Sequence, residues 1–244
     1  MPLAGLVLAP VLLAGAALLR RTRRQVRGLT RRGAAVVPLE HGLRLPATAA
    51  CIERRHRRVV VLGDSAAAGH GLGDAERGLA RRLGRALHAD DGRETVVSSV
   101  AVDGATTSDV LATQIPAAHG AEVVVVGVGV NDAIRLRRAR RVRRELTDLL
   151  GLLRRVAPEA HVVVISCPDL SAAPGLPGLL RPPLGWRCRR VARAQAQVAD
   201  RLGVPRLDLP RSALPAEVFG PDGFHPGALG HARMADQVLA RLAG

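Results

Sequence analysis

Arg58-Val59-Val60-Val61-Leu62-Gly63-Asp64-Ser65 decides how the rest of this chain is read. The run Val59–Leu62 is apolar at successive rather than alternate positions, so both faces of the strand it forms must be buried. The pattern recurs downstream. Thr95–Val102 reads as a second strand, Val123–Val128 as a third of almost pure valine, His161–Ser166 as a fourth and Pro205–Leu209 as a short fifth. Between them lie helical stretches. Ala75–His88 spaces Leu79, Leu83 and Leu87 by four, Ser108–Ala118 is interrupted by Pro116, and Ala139–Val156 is closed by Pro158. Trp186–Leu202 and Gly227–Leu242 complete the set. Doubly buried strands alternating with helices predict a doubly wound α/β fold, a parallel five-stranded sheet covered on both sides.

Composition narrows the chemistry. With 244 residues, 48% of them hydrophobic, the length favours one domain with a full core. That core must be aliphatic, because Trp186, Phe219 and Phe224 are the only aromatic residues. The net charge of +15 is carried by arginine alone. Without lysine there is no P-loop lysine, Schiff base or lysine base. Nucleic acid is disfavoured as a partner, since single-strand binders interleave basic residues with stacking aromatics. Cys51, Cys167 and Cys188 are odd in number and lack metal-ligand spacing, so neither a disulfide framework nor a zinc site is indicated. Gly127-x-Gly129 lacks the third glycine of a dinucleotide fingerprint. No cofactor and no metal are expected.

Ahead of the first strand, Leu3–Leu19 is a continuous apolar run at the short edge of what spans a bilayer, followed at once by Arg20, Arg21, Arg23, Arg24 and Arg27. The chain thus divides into an apolar anchor or signal over 1–19, a basic linker over 20–56 and a folded domain over 57–244. Positive charge only after the apolar run predicts an uncleaved anchor with the folded domain on the cytoplasmic side. A cleaved signal and a secreted protein form the alternative. The arginines are suited to an anionic membrane surface.

In open α/β sheets, ligands sit beyond the carboxyl ends of the strands. Ser65 follows the first strand, Gly104 the second and Asn131 the third, while Asp222 and His225 lie between the fifth strand and the last helix. Taken singly, each has a plain structural reading: a turn, a positive-φ glycine, a helix cap. Together they supply a nucleophile, a base and its orienter, because a serine hydroxyl is weak until a neighbouring base takes its proton. The tight Asp222-x-x-His225 turn lets the carboxylate reach Nδ1, leaving Nε2 to face Ser65. The Ser65 and Gly104 N–H groups and the Asn131 amide are candidate oxyanion donors. His70, in Gly69-His70-Gly71, lies near the nucleophile and is a weaker candidate for touching substrate, and His231 reads as structural. Pro168–Pro183, with Leu170, Leu176, Leu179, Leu180 and then Trp186, is expected to form an apolar flap beside the site.

These segments resemble the four sequence blocks of the SGNH (GDSL-type) esterase/lipase hydrolases over about residues 57–244. The resemblance rests on Gly63-Asp64-Ser65-Ala66-Ala67-Ala68-Gly69, Gly104, Gly129-Val130-Asn131-Asp132 and Asp222-x-x-His225. It implies a flavodoxin-like three-layer α/β/α sandwich with Ser65 as nucleophile. The implied chemistry is hydrolysis of small-molecule or lipid acyl esters, or of thioesters, through an acyl-enzyme. Acyl transfer would use the same site, and a noncatalytic α/β module held at a membrane is the competing reading. The Gly-x-Ser-x-Gly elbow of the α/β-hydrolases is missing. One departure stands out: this family's second block often has an asparagine shortly before its glycine, and here Asp103 precedes Gly104.

Overall fold

A computed structural model describes residues 42–51, 55–208 and 214–243. Its sheet has six strands in the order β1-β3-β2-β4-β5-β6: β1 Leu43–Leu45, β2 Arg57–Gly63, β3 Thr95–Ser99, β4 Val123–Gly127, β5 His161–Ile165 and β6 Arg206–Leu207. Strands β2 to β6 are parallel, as expected. β1 corrects the five-strand expectation. It pairs antiparallel with β3, Leu43 opposite Val97, and comes from the segment read as linker. Three residues of Leu-Arg-Leu are too short to show a period, so only pairing reveals the strand.

The helices are α1 Ser65–Ala68, α2 Leu79–Asp91, α3 Thr107–Thr113, α4 Val130–Ile134, α5 Ala139–Val156, α6 Arg181–Leu202 and α7 Ala228–Leu242. Pleating splits each central strand between two cores. Val60, Leu62, Val124 and Val126 face Val110 of α3, the leucines of α5 and Val198 of α6. Val59, Val61, Val123 and Val125 face Leu79 and Leu83 of α2 and Met234 and Val238 of α7. The result is a three-layer α/β/α sandwich. Helix α5 shows what makes its helices: Val142, Leu146, Leu149, Leu150 and Leu153 form one buried stripe, and each buried leucine contributes about 1.5–3 kcal/mol.

The stretch Pro168–Pro183 is not structureless. It holds two short 3₁₀ turns, Leu170–Ala172 and Gly178–Leu180, and the start of α6. Pro182 and Pro183 sit in the first helical turn, where no N–H is needed, so α6 begins at Arg181 rather than Trp186. The apolar run Leu3–Leu19 and the arginines after it lie outside the described residues. Among the described residues, no helix is long and apolar enough to cross a membrane.

Candidate active site

The site starts where β2 ends. Gly63 has φ +149°, and a Cβ there would lie 2.0 Å from the Gly127 carbonyl oxygen, so only glycine allows β2 and β4 to close so tightly. The Asp64 side chain then accepts from the Ala66 N–H at 3.1 Å and caps α1, which opens on Ser65. Gly69 ends that single turn in the left-handed region. Ser65 is thereby held, buried, at a helix N-terminus on the carboxyl edge of the sheet.

His225 reaches it from the loop before α7. His225 Nε2 lies 3.0 Å from Ser65 Oγ, and its Nδ1 lies 2.5 Å from Asp222 Oδ2. The other Asp222 oxygen accepts the N–H groups of Phe224 and His225, both at 2.9 Å, which folds the loop into a tight turn. Burial pushes the Asp222 carboxyl up, but the His225 side chain and these two N–H donors outweigh it and hold the group below its ordinary range. Gly223, at φ +63°, packs against Gly175, whose N–H donates to the Gly223 carbonyl at 2.8 Å. The proline-rich stretch therefore braces the histidine loop.

Asn131 and Gly104 come to the same edge. Asn131 Nδ2 donates to the Ala105 carbonyl at 3.1 Å and reaches Asp64 Oδ2 at a long 3.5 Å. Among the described residues, the N–H groups of Ser65 and Gly104 have no acceptor. Gly104, at φ +78°, is the third residue of a turn closed by the Ala105 N–H on the Val102 carbonyl at 3.0 Å, the type II arrangement. Asp103, which departs from the family pattern, binds His70: Nδ1 and Oδ2 are 2.7 Å apart. The buried His70 ring stands 4.5 Å from the His225 ring, centre to centre. His70 therefore sits between the two loops.

Asp64 is the electrostatic outlier. Burial raises its pKa to about 7, opposed by the Ala66 N–H and His225 and reinforced by Asp132 and Asp103. Asp132 has a different task. It accepts the N–H and hydroxyl of Thr107, at 3.0 and 2.9 Å, tying α4 to α3. His231 is structural as expected: its Nδ1 accepts the Leu79 N–H at 3.2 Å, and burial lowers its pKa to about 4.

Two glutamines escape a sequence reading. Gln114 binds both the N–H and the carbonyl of Gly63, at 2.7 and 2.9 Å. Gln195 accepts from the Cys167 N–H and donates to the Val128 carbonyl, both at 2.7 Å. Each clamps the end of a strand beneath the site. The only available signal is a polar residue on the apolar face of a helix, which marks burial but not its partner.

A cavity of about 200 Å³ opens beside Ser65 and His225, lined by Ala67, Leu79, Ile165, Phe224 and Met234 and continuing to Arg233 and Gln237. Of the expected flap, Leu170 lines this cavity, while Leu176 and Leu180 are buried in the fold. Leu179 and Trp186 point to solvent, 86% and 47% exposed, so the flap reading fails for them.

The comparisons with known proteins agree with this architecture. The chain is 32% identical over 194 residues to a GDSL-like esterase of Mycobacterium tuberculosis, covering 75% of this chain and 61% of that protein. The chain thus spans about three-fifths of the length of that curated relative. Among solved structures, a lipase from a goat rumen metagenome superposes with a TM-score of 0.64 at 18% identity, covering 76% of this chain and 97% of its own. A phospholipase A1 from Streptomyces albidoflavus gives 0.58 at 23%, covering 76% and 99%. At such identities these structures speak for the fold alone. The family model described as GDSL-like Lipase/Acylhydrolase matches residues 61–233, from within β2 to within α7. With that match covering well over half of the chain, the chain belongs to the GDSL-like lipase/acylhydrolase family.

Proposed function

We propose that this protein is a serine hydrolase of carboxylic acyl esters or thioesters. The observation that carries the proposal is the unbroken chain Ser65 Oγ, His225 Nε2, His225 Nδ1, Asp222 Oδ2, with links of 3.0 and 2.5 Å. Ser65 attacks the carbonyl carbon as its proton passes to Nε2, and Asp222 stabilises the imidazolium that results. The proton then goes to the leaving alkoxide or thiolate. Water, deprotonated by the same histidine, releases the acid. The oxyanion takes the free N–H groups of Ser65 and Gly104, and Asn131 joins them by giving up its long contact with Asp64. A donor needs only that small exchange to act where charge develops.

The apolar cavity supplies a place for the acyl part. An engineered cavity of about 150 Å³ holds benzene, so one of this size suits a chain of roughly six to eight carbons. The test is labelling by a fluorophosphonate together with p-nitrophenyl ester hydrolysis, in the wild type and in Ser65→Ala. Labelling and turnover should both vanish in a folded Ser65→Ala protein. Wild-type turnover in that variant would end the serine mechanism. In an ester series the rate should peak near six to eight carbons, and a steady fall from acetate upward would remove the cavity from the reading.

A further inference from the structure

The described residues expose five large apolar side chains: Val102, Leu136, Leu179, Trp186 and Leu229. Scattered singly, exposed apolar residues need no explanation. These are not scattered. Val102 follows β3, Leu136 lies between α4 and α5, Leu179 immediately precedes α6, Trp186 is in its second turn, and Leu229 is in the first turn of α7. In a parallel α/β sandwich, strand carboxyl ends and helix amino ends share one edge. All five therefore stand at the edge that carries Ser65 and His225, and none is at the opposite one.

Charge follows the same edge. From Ala133 to Arg144 and from Pro177 to Arg193 the sequence holds no acidic residue and many arginines. The two stretches open α5 and α6, which lie side by side: Arg187 Nη2 donates to the Arg137 carbonyl at 2.8 Å, and Arg143 Nη1 to Gln197 Oε1 at 3.1 Å. Arg138, Arg140, Arg190 and Arg193 have no ion-pair partner among the described residues. Arg190 lies over the Trp186 ring at 4.8 Å. An indole beside arginines, with a leucine almost wholly in solvent, is the arrangement that settles at the boundary between head groups and acyl chains.

We infer that the carboxyl edge of the sheet, through Leu136, Leu179, Trp186 and the arginines that open α5 and α6, docks on an anionic lipid bilayer and presents the Ser65 site to it. Nothing in this requires catalysis, so the docking and the proposed reaction stand or fall separately. It is also distinct from any hold that Leu3–Leu19 provides, because it names another part of the molecule.

Trp186 is the only tryptophan of the chain and reports the docking directly. The full-length protein is titrated with vesicles of ether-linked phosphatidylglycerol or phosphatidylcholine, which no esterase degrades. Trp186 emission should shift to the blue with phosphatidylglycerol and be quenched by a lipid carrying a shallow nitroxide. Phosphatidylcholine should give neither effect. Leu179→Asp should abolish the shift. Arg138→Gln/Arg140→Gln should weaken docking about 30-fold, at about fivefold for each arginine near an anionic surface. Binding of the protein to vesicles with Trp186 emission unchanged would overturn the inference, since another segment would then hold the membrane. An equal shift with both lipids would overturn the role of charge. Ester hydrolysis in free solution is measured alongside and should be the same in these variants, so a failure of docking is not confused with a failure of the active site.

Discussion

The two edges of the sheet differ at one buried carboxylate and two backbone N–H groups. At the amino edge, Arg57 is buried and fully engaged: it meets Asp91 at 2.6 Å, Glu122 at 3.3 Å and the Leu87 carbonyl at 2.6 Å, while Arg93 holds Glu122 at 2.7 Å. Burial pushes the Asp91 and Glu122 carboxyls up, yet their donors prevail and both fall below the ordinary range. At the carboxyl edge, among the described residues, Asp64 is buried with no ion-pair partner and rises to about 7, and the Ser65 and Gly104 N–H groups lack acceptors. One edge completes its polar groups and so stabilises the fold. The other completes Asp222 but leaves Asp64 and the Ser65 and Gly104 N–H groups open, which is what a site needs if reacting atoms are to complete them.

The largest effect should come from the carboxyl edge. If the proposed triad operates, His225→Ala costs about 10⁶-fold in kcat and Asp222→Asn about 10⁴-fold, with the fold intact. Steady-state kinetics with a short p-nitrophenyl ester, beside circular dichroism, tests both. Equal residual activity in the two variants would mean that Asp222 does more than hold Nδ1.

Asp64 should next reveal the edge's cost in stability. Its pKa is raised from 3.8 to about 7, so the folded state binds this proton more tightly than the unfolded chain does. The sign is therefore opposite to that of a paired carboxylate. The penalty is complete above pH 7 and fades as pH falls from about 7 towards 4. Asp64→Asn should raise stability at pH 8 by on the order of 4 kcal/mol, from about three pKa units at 1.36 kcal/mol each, and hardly change it at pH 4. Urea unfolding at the two pH values reads the difference directly, and an equal change at both would show that Asp64 is not ionised late.

Asn131→Ala should lower kcat by about 10²–10³-fold, the usual effect of losing one oxyanion donor, and move KM less. A change confined to KM would assign Asn131 to ground-state binding. At the amino edge the prediction reverses. Arg57→Ala should cost about 2–3 kcal/mol of stability, less than a fully buried pair because Asp91 and Glu122 are partly solvated, and leave kcat per folded molecule unchanged. A loss of kcat there would break the division of labour between the edges.

What the sequence disclosed follows from the same contrast. Strands β2, β4 and β5 were legible because burial on both faces writes itself as unbroken valine, and α5 because its stripe has a period. The placement of Ser65, Asn131, Asp222 and His225 followed from strand ends alone. Contacts between remote side chains were not legible. Gln114 on Gly63 and Gln195 between Val128 and Cys167 are each one polar letter in an apolar face, and β1 is too short to carry a pattern. The flap reading went wrong for Leu179 and Trp186 because apolar character says nothing about whether a side chain meets the fold or leaves it.

The smallest effect is expected from His70, and it bears on how the carboxyl edge is aimed. A type II turn differs from type I by a flip of its central peptide, here Asp103–Gly104, and that flip sets the direction of the Gly104 N–H. His70 holds the Asp103 side chain at 2.7 Å from the loop that follows Ser65, where the His70 N–H also donates to the Ser65 carbonyl at 2.9 Å. Freed from His70, the turn can sample the other flip, and the N–H is lost for part of the time. A hydrogen bond to a charged group is worth about 1.5–3 kcal/mol, and Asp103 is half exposed, so the lower end applies. His70→Ala should then reduce kcat about tenfold, or about 1.4 kcal/mol, with KM little changed. His70→Asn, which keeps an N–H donor near the position of Nδ1, should restore most of the rate. If both variants lose thermal stability equally and keep kcat, His70 braces the loop without aiming it, and the departure at Asp103 has no bearing on the reaction.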